Sequence, residues 1–128
     1  MSNELEDLVV SGKDLDKELV AEVLSPYLRL DKDACSIRPL GPWNELNAKE
    51  KILLYLIARK AMVALGFDLG KEGATPNEVI QDTGLKKGTV HPVLRDLLTD
   101  RMVDQSKDKR YSVPNYAIER IKNMLSHE

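Results

Sequence analysis

TPNEVIQDTGLKKGTVHPVLRDLLTDRMVDQSKDKRYSV, Thr75 to Val113, is the stretch that decides how this chain folds. Thr75 can cap a helix, Pro76 suits its first position, and Glu78 completes a T-x-x-E box. Val79 and Ile80 supply the core-facing residues of this short helix. Thr83-Gly84 stops it, because glycine takes the left-handed conformation without penalty. Beyond the turn Gly84-Leu85-Lys86-Lys87-Gly88, residues Val90, Val93, Leu94, Leu97 and Leu98 fall at i, i+3, i+4, i+7 and i+8. That is one apolar stripe on a second helix, expected over 88–101. Pro92 is tolerated only in a first turn, where backbone donors have no partner. The helix should therefore start near Gly88 or Thr89. Met102-Val103-Asp104-Gln105 and Arg110-Tyr111-Ser112-Val113 alternate around a polar centre, which predicts a β-hairpin over 103–113 with Lys107 and Lys109 at its tip.

Working outward, Asn47 to Leu65 is the strongest helix. Asn47 and Glu50 form a capping-box pair, and Ile52 to Ala58 is apolar nearly all round, as in a helix covered on most sides. Arg59 and Lys60 are expected to be its polar exits, and Gly66 its C-terminal cap. Pro114-Asn115 opens a last helix, 114–126, with Tyr116, Ile118, Ile121 and Leu125 along its apolar edge. Upstream, Pro39-Leu40-Gly41-Pro42 is a linker, and Trp43 is expected to plug the core. Tyr27-Leu28-Arg29-Leu30 and Ser36-Ile37-Arg38 alternate around Asp31-Lys32-Asp33-Ala34, which predicts a small hairpin over 27–38. Asp14 can cap a helix on whose one face Leu15, Leu19, Val20, Val23, Leu24 and Tyr27 fall, ended or kinked by Ser25-Pro26. Glu4 to Val10 is a short apolar-acidic segment interrupted by Gly12.

Composition narrows the functional classes. The chain has 128 residues, 42% hydrophobic and 31% charged, which suits a folded domain with a small appended piece. No apolar run approaches the roughly 20 residues needed to cross a bilayer, and Met1-Ser2-Asn3-Glu4 lacks the start of a signal peptide. Cys35 is the single cysteine, so no internal disulfide forms and a reducing, cytoplasmic setting fits. Net charge is −2, but residues 1–46 carry ten acids against five bases, leaving +3 for the remainder. Any polyanion-binding surface must therefore be a local patch.

Catalytic chemistry finds little support. His91 and His127 with one cysteine do not make a metal site, Cys35 has no histidine partner, and Asp31 and Asp33 are turn residues. Gly66-x-x-x-Gly70-Lys71 is one residue short of a phosphate loop, and Glu72 stands where a hydroxyl should bind magnesium. No cofactor, metal or enzymatic activity is expected.

Helix, tight turn, helix and basic hairpin, in that order, resemble the winged helix-turn-helix domains of bacterial and archaeal transcription regulators. The segment Gly84 to Leu97 looks like their turn and recognition helix, and Leu98-Thr99-Asp100-Arg101-Met102-Val103 like their passage into the wing. Asn47–Leu65 would be the domain's first helix. The resemblance covers 47–113. It implies an α-rich α+β protein, with a winged-helix domain at 47–128 and a helical or α/β N-terminal extension at 1–46. It implies that Lys86, Lys87, Thr89, His91 and Arg95 approach double-stranded DNA, and that Lys107, Lys109 and Arg110 lie in or beside the wing. Two lysines at a helix start favour phosphate oxygens, and Arg95 can fork onto guanine. A homodimer is expected, joined through Tyr116, Ile118, Ile121 and Leu125 or through the N-terminal segment. Asp96, Asp100 and Asp108 dilute the pattern, and Pro92 stiffens the reading end. They motivate a second expectation, a winged helix that docks another protein, with the acidic N-terminal part as a contact.

Overall fold

A computed structural model describes residues 15–126. The fold is α-rich, with five α-helices and two antiparallel two-stranded hairpins among the described residues. Helix α1 spans Lys17–Leu24 and starts on Asp16, whose carboxylate accepts from the Leu19 N–H at 3.0 Å. Asp16 takes the capping role expected of Asp14, which lies, with Glu4 to Val10, outside the described residues. The chain then turns into β1 (Leu28–Asp31), paired with β2 (Ser36–Pro39) in the register Leu28↔Pro39 to Asp31↔Ser36. Asp31 closes the turn by accepting from the Ala34 N–H at 3.1 Å.

A 3₁₀ turn over Gly41–Glu45 buries Trp43, and the chain enters α2, Ala48–Ala64. Asn47 and Glu50 exchange side-chain-to-backbone bonds of 2.9 and 2.8 Å across its first turn. Every residue from Ile52 to Met62 is buried, so α2 is the central helix against which α1, α3, α4 and α5 pack. Burying a helix on all sides removes far more apolar area from water than an amphipathic surface helix can. The described residues ahead of α2 are not packed apart from the rest. Val20, Val23, Leu24, Leu28, Trp43 and Leu46 belong to the same core as the residues of α2.

Helix α3, Pro76–Thr83, is capped reciprocally by Thr75 and Glu78 and ends on Gly84 at φ 76°. Three residues later α4 begins, spanning Lys87–Thr99 with Lys86 at the N-cap. A three-residue turn containing glycine is the connection expected between two helices of a helix-turn-helix pair. The start of α4 lies one to two residues earlier than the proline rule suggests. Pro92 consequently sits in the second turn and cannot supply the N–H that would bond the Gly88 carbonyl.

The far end of α4 closes with a left-handed residue. Arg101 has φ 60°; its N–H reaches the Leu98 carbonyl at 3.2 Å, and the Met102 N–H reaches Leu97 at 3.0 Å. These two bonds form a Schellman cap, and Leu97 and Met102 at its two ends are both buried. From there the chain enters β3, Asp104–Gln105, which pairs with β4, Tyr111–Ser112. Ala74, just ahead of α3, bridges to Tyr111 through bonds of 2.9 and 2.8 Å and gives the hairpin a third, one-residue strand.

A 3₁₀ turn at Asn115–Ala117 leads into α5, Ile118–Leu125. The apolar edge expected to join two copies is spent inside the chain. Ile118, Ile121 and Leu125 are buried in the core, and α5 packs on α1 and α2. Only Tyr116 of that set stands exposed. The reason is geometric: α1 and α2 leave one side of the core open, and α5 covers it. No helix among the described residues is long and apolar enough to cross a membrane.

A non-glycine residue in the left-handed region costs roughly 1 kcal/mol. Arg101→Gly is therefore expected to raise the unfolding free energy by about 0.5–1 kcal/mol in a urea titration. A loss of stability would show that the arginine side chain, and not the backbone, holds this corner.

Candidate nucleic-acid interface

Helix α4 is divided into an inner and an outer face. Val90, Leu94 and Leu97 are fully buried, with Val93 and Leu98 partly buried beside them. Turning that stripe inward leaves Lys87, His91 and Arg95, four residues apart, exposed along the opposite side. Lys86 is exposed at the N-cap, and Thr89 is half-buried. Among the described residues none covers Lys87 or Arg95. Helices α1, α2 and α3 each start on a side-chain oxygen, from Asp16, Asn47 and Thr75, but Lys86 has no acceptor to offer α4. The N–H groups of Lys87 and Gly88 are thus left without a side-chain cap beside two ammonium groups, while Thr89 N–H already reaches the Lys86 carbonyl at 2.9 Å. Asp96 and Asp100 are also exposed, and the Lys49 ammonium lies 4.0 Å from Asp100.

The second hairpin carries exposed Lys107 and Lys109 at its tip. Lys109 is left-handed at φ 61°, a conformation fixed by its N–H bond to the Ser106 carbonyl at 3.0 Å. Asp108, between the two lysines, does not point a free charge outward. Its carboxylate takes Lys71 at 2.7 Å, the Ser106 hydroxyl, and the Arg110 Nε at 3.3 Å. The Lys71 and Ser106 hydrogen bonds hold its pKa down to about 2. Lys71 was invisible as a participant in the sequence, because its partner lies 37 residues away.

Arg110 is not a free cation of the second hairpin. Its guanidinium turns inward, bonding Glu78 at 2.7 Å and the Gly73 carbonyl at 3.0 Å. A Cβ on Gly73 would sit 2.9 Å from the Arg110 Cβ, so only glycine permits this approach. Glu78 also faces Arg59 at 3.8 Å. Burial raises the Glu78 pKa, but hydrogen bonds from the Thr75 N–H and hydroxyl, with the Arg59 and Arg110 charges, outweigh it and leave the group below its ordinary value.

Arg59 is the second departure from expectation. It is no polar exit: its side chain is 4% exposed. Nε donates to the Glu72 carbonyl at 2.9 Å, and Nη2 donates to Lys71 and Gly73 at 2.8 and 3.1 Å. Nη1 donates to the Tyr55 hydroxyl at 3.3 Å, and that hydroxyl donates onward to Asp82. Burial and the Asp82 bond push the Tyr55 hydroxyl pKa upward. Lys60 is buried as well and pairs with Glu72 at 2.9 Å. One network therefore ties α2 to the loop before α3, to both ends of α3, and to the base of the hairpin. No group of three or more His, Cys, Asp or Glu residues is placed to hold a metal ion among the described residues.

Two arginines give a graded test. Arg59→Ala takes the side-chain donor from the Lys71 and Glu72 carbonyls, leaves Arg110 alone on Glu78 and Gly73, and is expected to cost about 3–5 kcal/mol in urea unfolding. Arg38→Ala breaks a 2.7 Å pair to Asp31 from a side chain that is 74% exposed, and should cost less than about 1 kcal/mol. Equal costs would contradict the burial argument.

The acid limb of stability is a further test. Glu78 titrates below its ordinary value of 4.5 in the folded chain, so its contribution is present above that pH and lost as pH falls through the folded value. Glu78→Gln should therefore be less stable than the parent near neutrality and show a shallower loss of stability between about pH 5 and 3. Parallel curves would remove Glu78 from the acid response.

Comparison with known proteins identifies no relative: the chain matches no family model, no curated protein and no solved structure.

Proposed function

We propose that residues 47–128 are a winged helix-turn-helix domain that binds double-stranded DNA, and that the chain acts in transcription control as a homodimer. In this reading α4 enters the major groove and the hairpin at 103–113 lies on the flanking phosphates. One observation carries it: the apolar stripe of α4 is turned inward, so that Lys87, His91 and Arg95 stand open along its outer side. The lysine-bearing, uncapped start of that helix favours phosphate oxygens. Lys107 and Lys109 supply sequence-blind attraction, with the one acid between them engaged by Lys71. Arg110 serves as the anchor of the wing and makes no phosphate contact.

The roles divide by chemistry. Lys86, Lys87, Lys107 and Lys109 are point charges suited to phosphate. Arg95 offers a planar fork suited to a guanine edge, and Thr89 and His91 can reach bases from the first turns. Exposed Asp96 and Asp100 on the same helix favour a second reading, in which this face docks a basic protein surface.

Fluorescence anisotropy with duplex DNA across a salt series separates the two. DNA binding predicts affinity that falls steeply with salt, with a log–log slope of about −0.9 per phosphate neutralised. Lys87→Ala and Lys107→Ala should each flatten that slope by about one unit at unchanged fold. Arg95→Ala should cost about 1–3 kcal/mol on a preferred site and relax the preference there. Absence of binding to any duplex at low salt overturns the DNA reading and leaves the protein-docking one.

A further inference from the structure

We infer that the chain's own residues 4–10, which lie outside the described residues, pack into an apolar groove between α1, β1 and the C-terminal end of α2. The inference is independent of the DNA reading, because none of the groove's walls belongs to α3, α4 or the second hairpin.

The groove has a volume of about 320 Å³, and Leu15, Ala21, Leu24, Leu30, Ala64 and Leu65 are among its walls. That is more than twice the roughly 150 Å³ that encloses a benzene molecule, so it has room for two aliphatic side chains. Leu65 is left 58% exposed. Apolar surface gathered around a hollow is unfavourable in water and is relieved when another apolar group fills it.

The occupant is named first by where the described chain begins. Leu15 is its first residue, is partly buried against the core, and is itself a wall of the groove. Residues 1–14 therefore join the fold at the groove and not at a distant face. Val10 and Leu15 are five residues apart, a separation of at most about 18 Å, and Gly12 between them allows the chain to reverse. A short tether holds its segment at an effective concentration on the order of millimolar, which a second copy or a foreign partner must exceed.

Side-chain chemistry agrees. Leu5, Leu8 and Val9 supply aliphatic groups at helical spacing. The groove's rim supplies cations, Lys17 and Arg29. The Arg29 guanidinium is held there by the Ser25 and Leu28 carbonyls at 2.6 and 2.9 Å, which satisfy donors but do not balance its charge. Neither cation is paired with a carboxylate among the described residues. Residues 4–10 carry Glu4, Glu6 and Asp7 and no cation. An apolar segment with acids beside it thus meets an apolar hollow with unmatched cations beside it.

Nuclear Overhauser spectra of the full chain, methyl-labelled at alanine, leucine and valine, test this. Contacts are expected from Leu5 and Leu8 to Ala21, Ala64 and Leu65, and none in a mixed-label sample that reports only contacts between copies. Leu5→Ser with Leu8→Ser should abolish them and shift the amide signals of Arg29 and Leu65, leaving those of α4 in place. The same double variant should raise the fluorescence of an apolar dye severalfold at an unchanged circular dichroism spectrum. Lys17→Glu should weaken the contacts. Contacts that appear only between copies overturn the inference and give the groove to a second copy. A parent chain in which Leu5 and Leu8 touch none of these residues overturns it too, as does a double variant whose groove signals and dye fluorescence match the parent's.

Discussion

The buried guanidinium of Arg59 is the constraint on which the rest of this structure depends. Removing a charged group from water costs several kcal/mol unless its donors are satisfied and its charge is balanced. Here the carbonyls of Lys71, Glu72 and Gly73, the Tyr55 hydroxyl and the Glu78 carboxylate share that task. The arrangement works only if the loop before α3 curls its carbonyls toward α2. That curl brings Ala74 alongside Tyr111 and sets Glu78 where it meets Arg110. One satisfied cation in the central helix thereby fixes where α3 starts and where the second hairpin leaves the body of the protein.

Helix α4 is positioned by different physics. Its inward stripe is aliphatic and without polar partners, so burial alone sets its rotation about its axis. Rotation in turn decides which side chains are outside. Lys87, His91 and Arg95 are exposed because Val90, Leu94 and Leu97 are not. The local chemistry of α4 is otherwise poor for a helix: an uncapped start, a glycine at its second residue, and a proline in its second turn. Such concessions in stability gather where a surface has work other than folding.

Much of this was legible in the sequence wherever the deciding contacts are local. Asn47 with Glu50, Thr75 with Glu78, and Gly84 at a helix end act over three or four residues, and each occurs as its spacing implies. The first hairpin was legible for the same reason, its alternation lying within a dozen residues. What was not legible is long-range. Nothing around Arg59 announces that its acceptors lie 12 to 14 residues downstream, and nothing around Arg110 announces a carboxylate 32 residues upstream. An arginine at the end of an apolar run is written the same way whether it meets solvent or a ring of carbonyls. The apolar edge of α5 shows the same limit. Its pattern states that something must cover it, and only the packing of α1 and α2 states what.

The charge distribution follows from these long-range pairings. A chain of net charge −2 is a poor candidate for polyanion binding by its total alone. Total charge is the wrong quantity at close range, because charges farther apart than about 8 Å are largely screened at physiological salt. What a ligand at the second hairpin would meet is the local set. Asp108 is engaged by Lys71 and Arg110, and Glu78 by Arg110 and Arg59, so these two acids are already matched. Lys107 and Lys109 are left as the unmatched charges of the tip, and Lys86, Lys87 and Arg95 as the unmatched cations at the start and along the outer side of α4, where Asp96 is also exposed. Internal pairing of Asp108 and Glu78 thus leaves the tip of the second hairpin more cationic than a count of its residues implies.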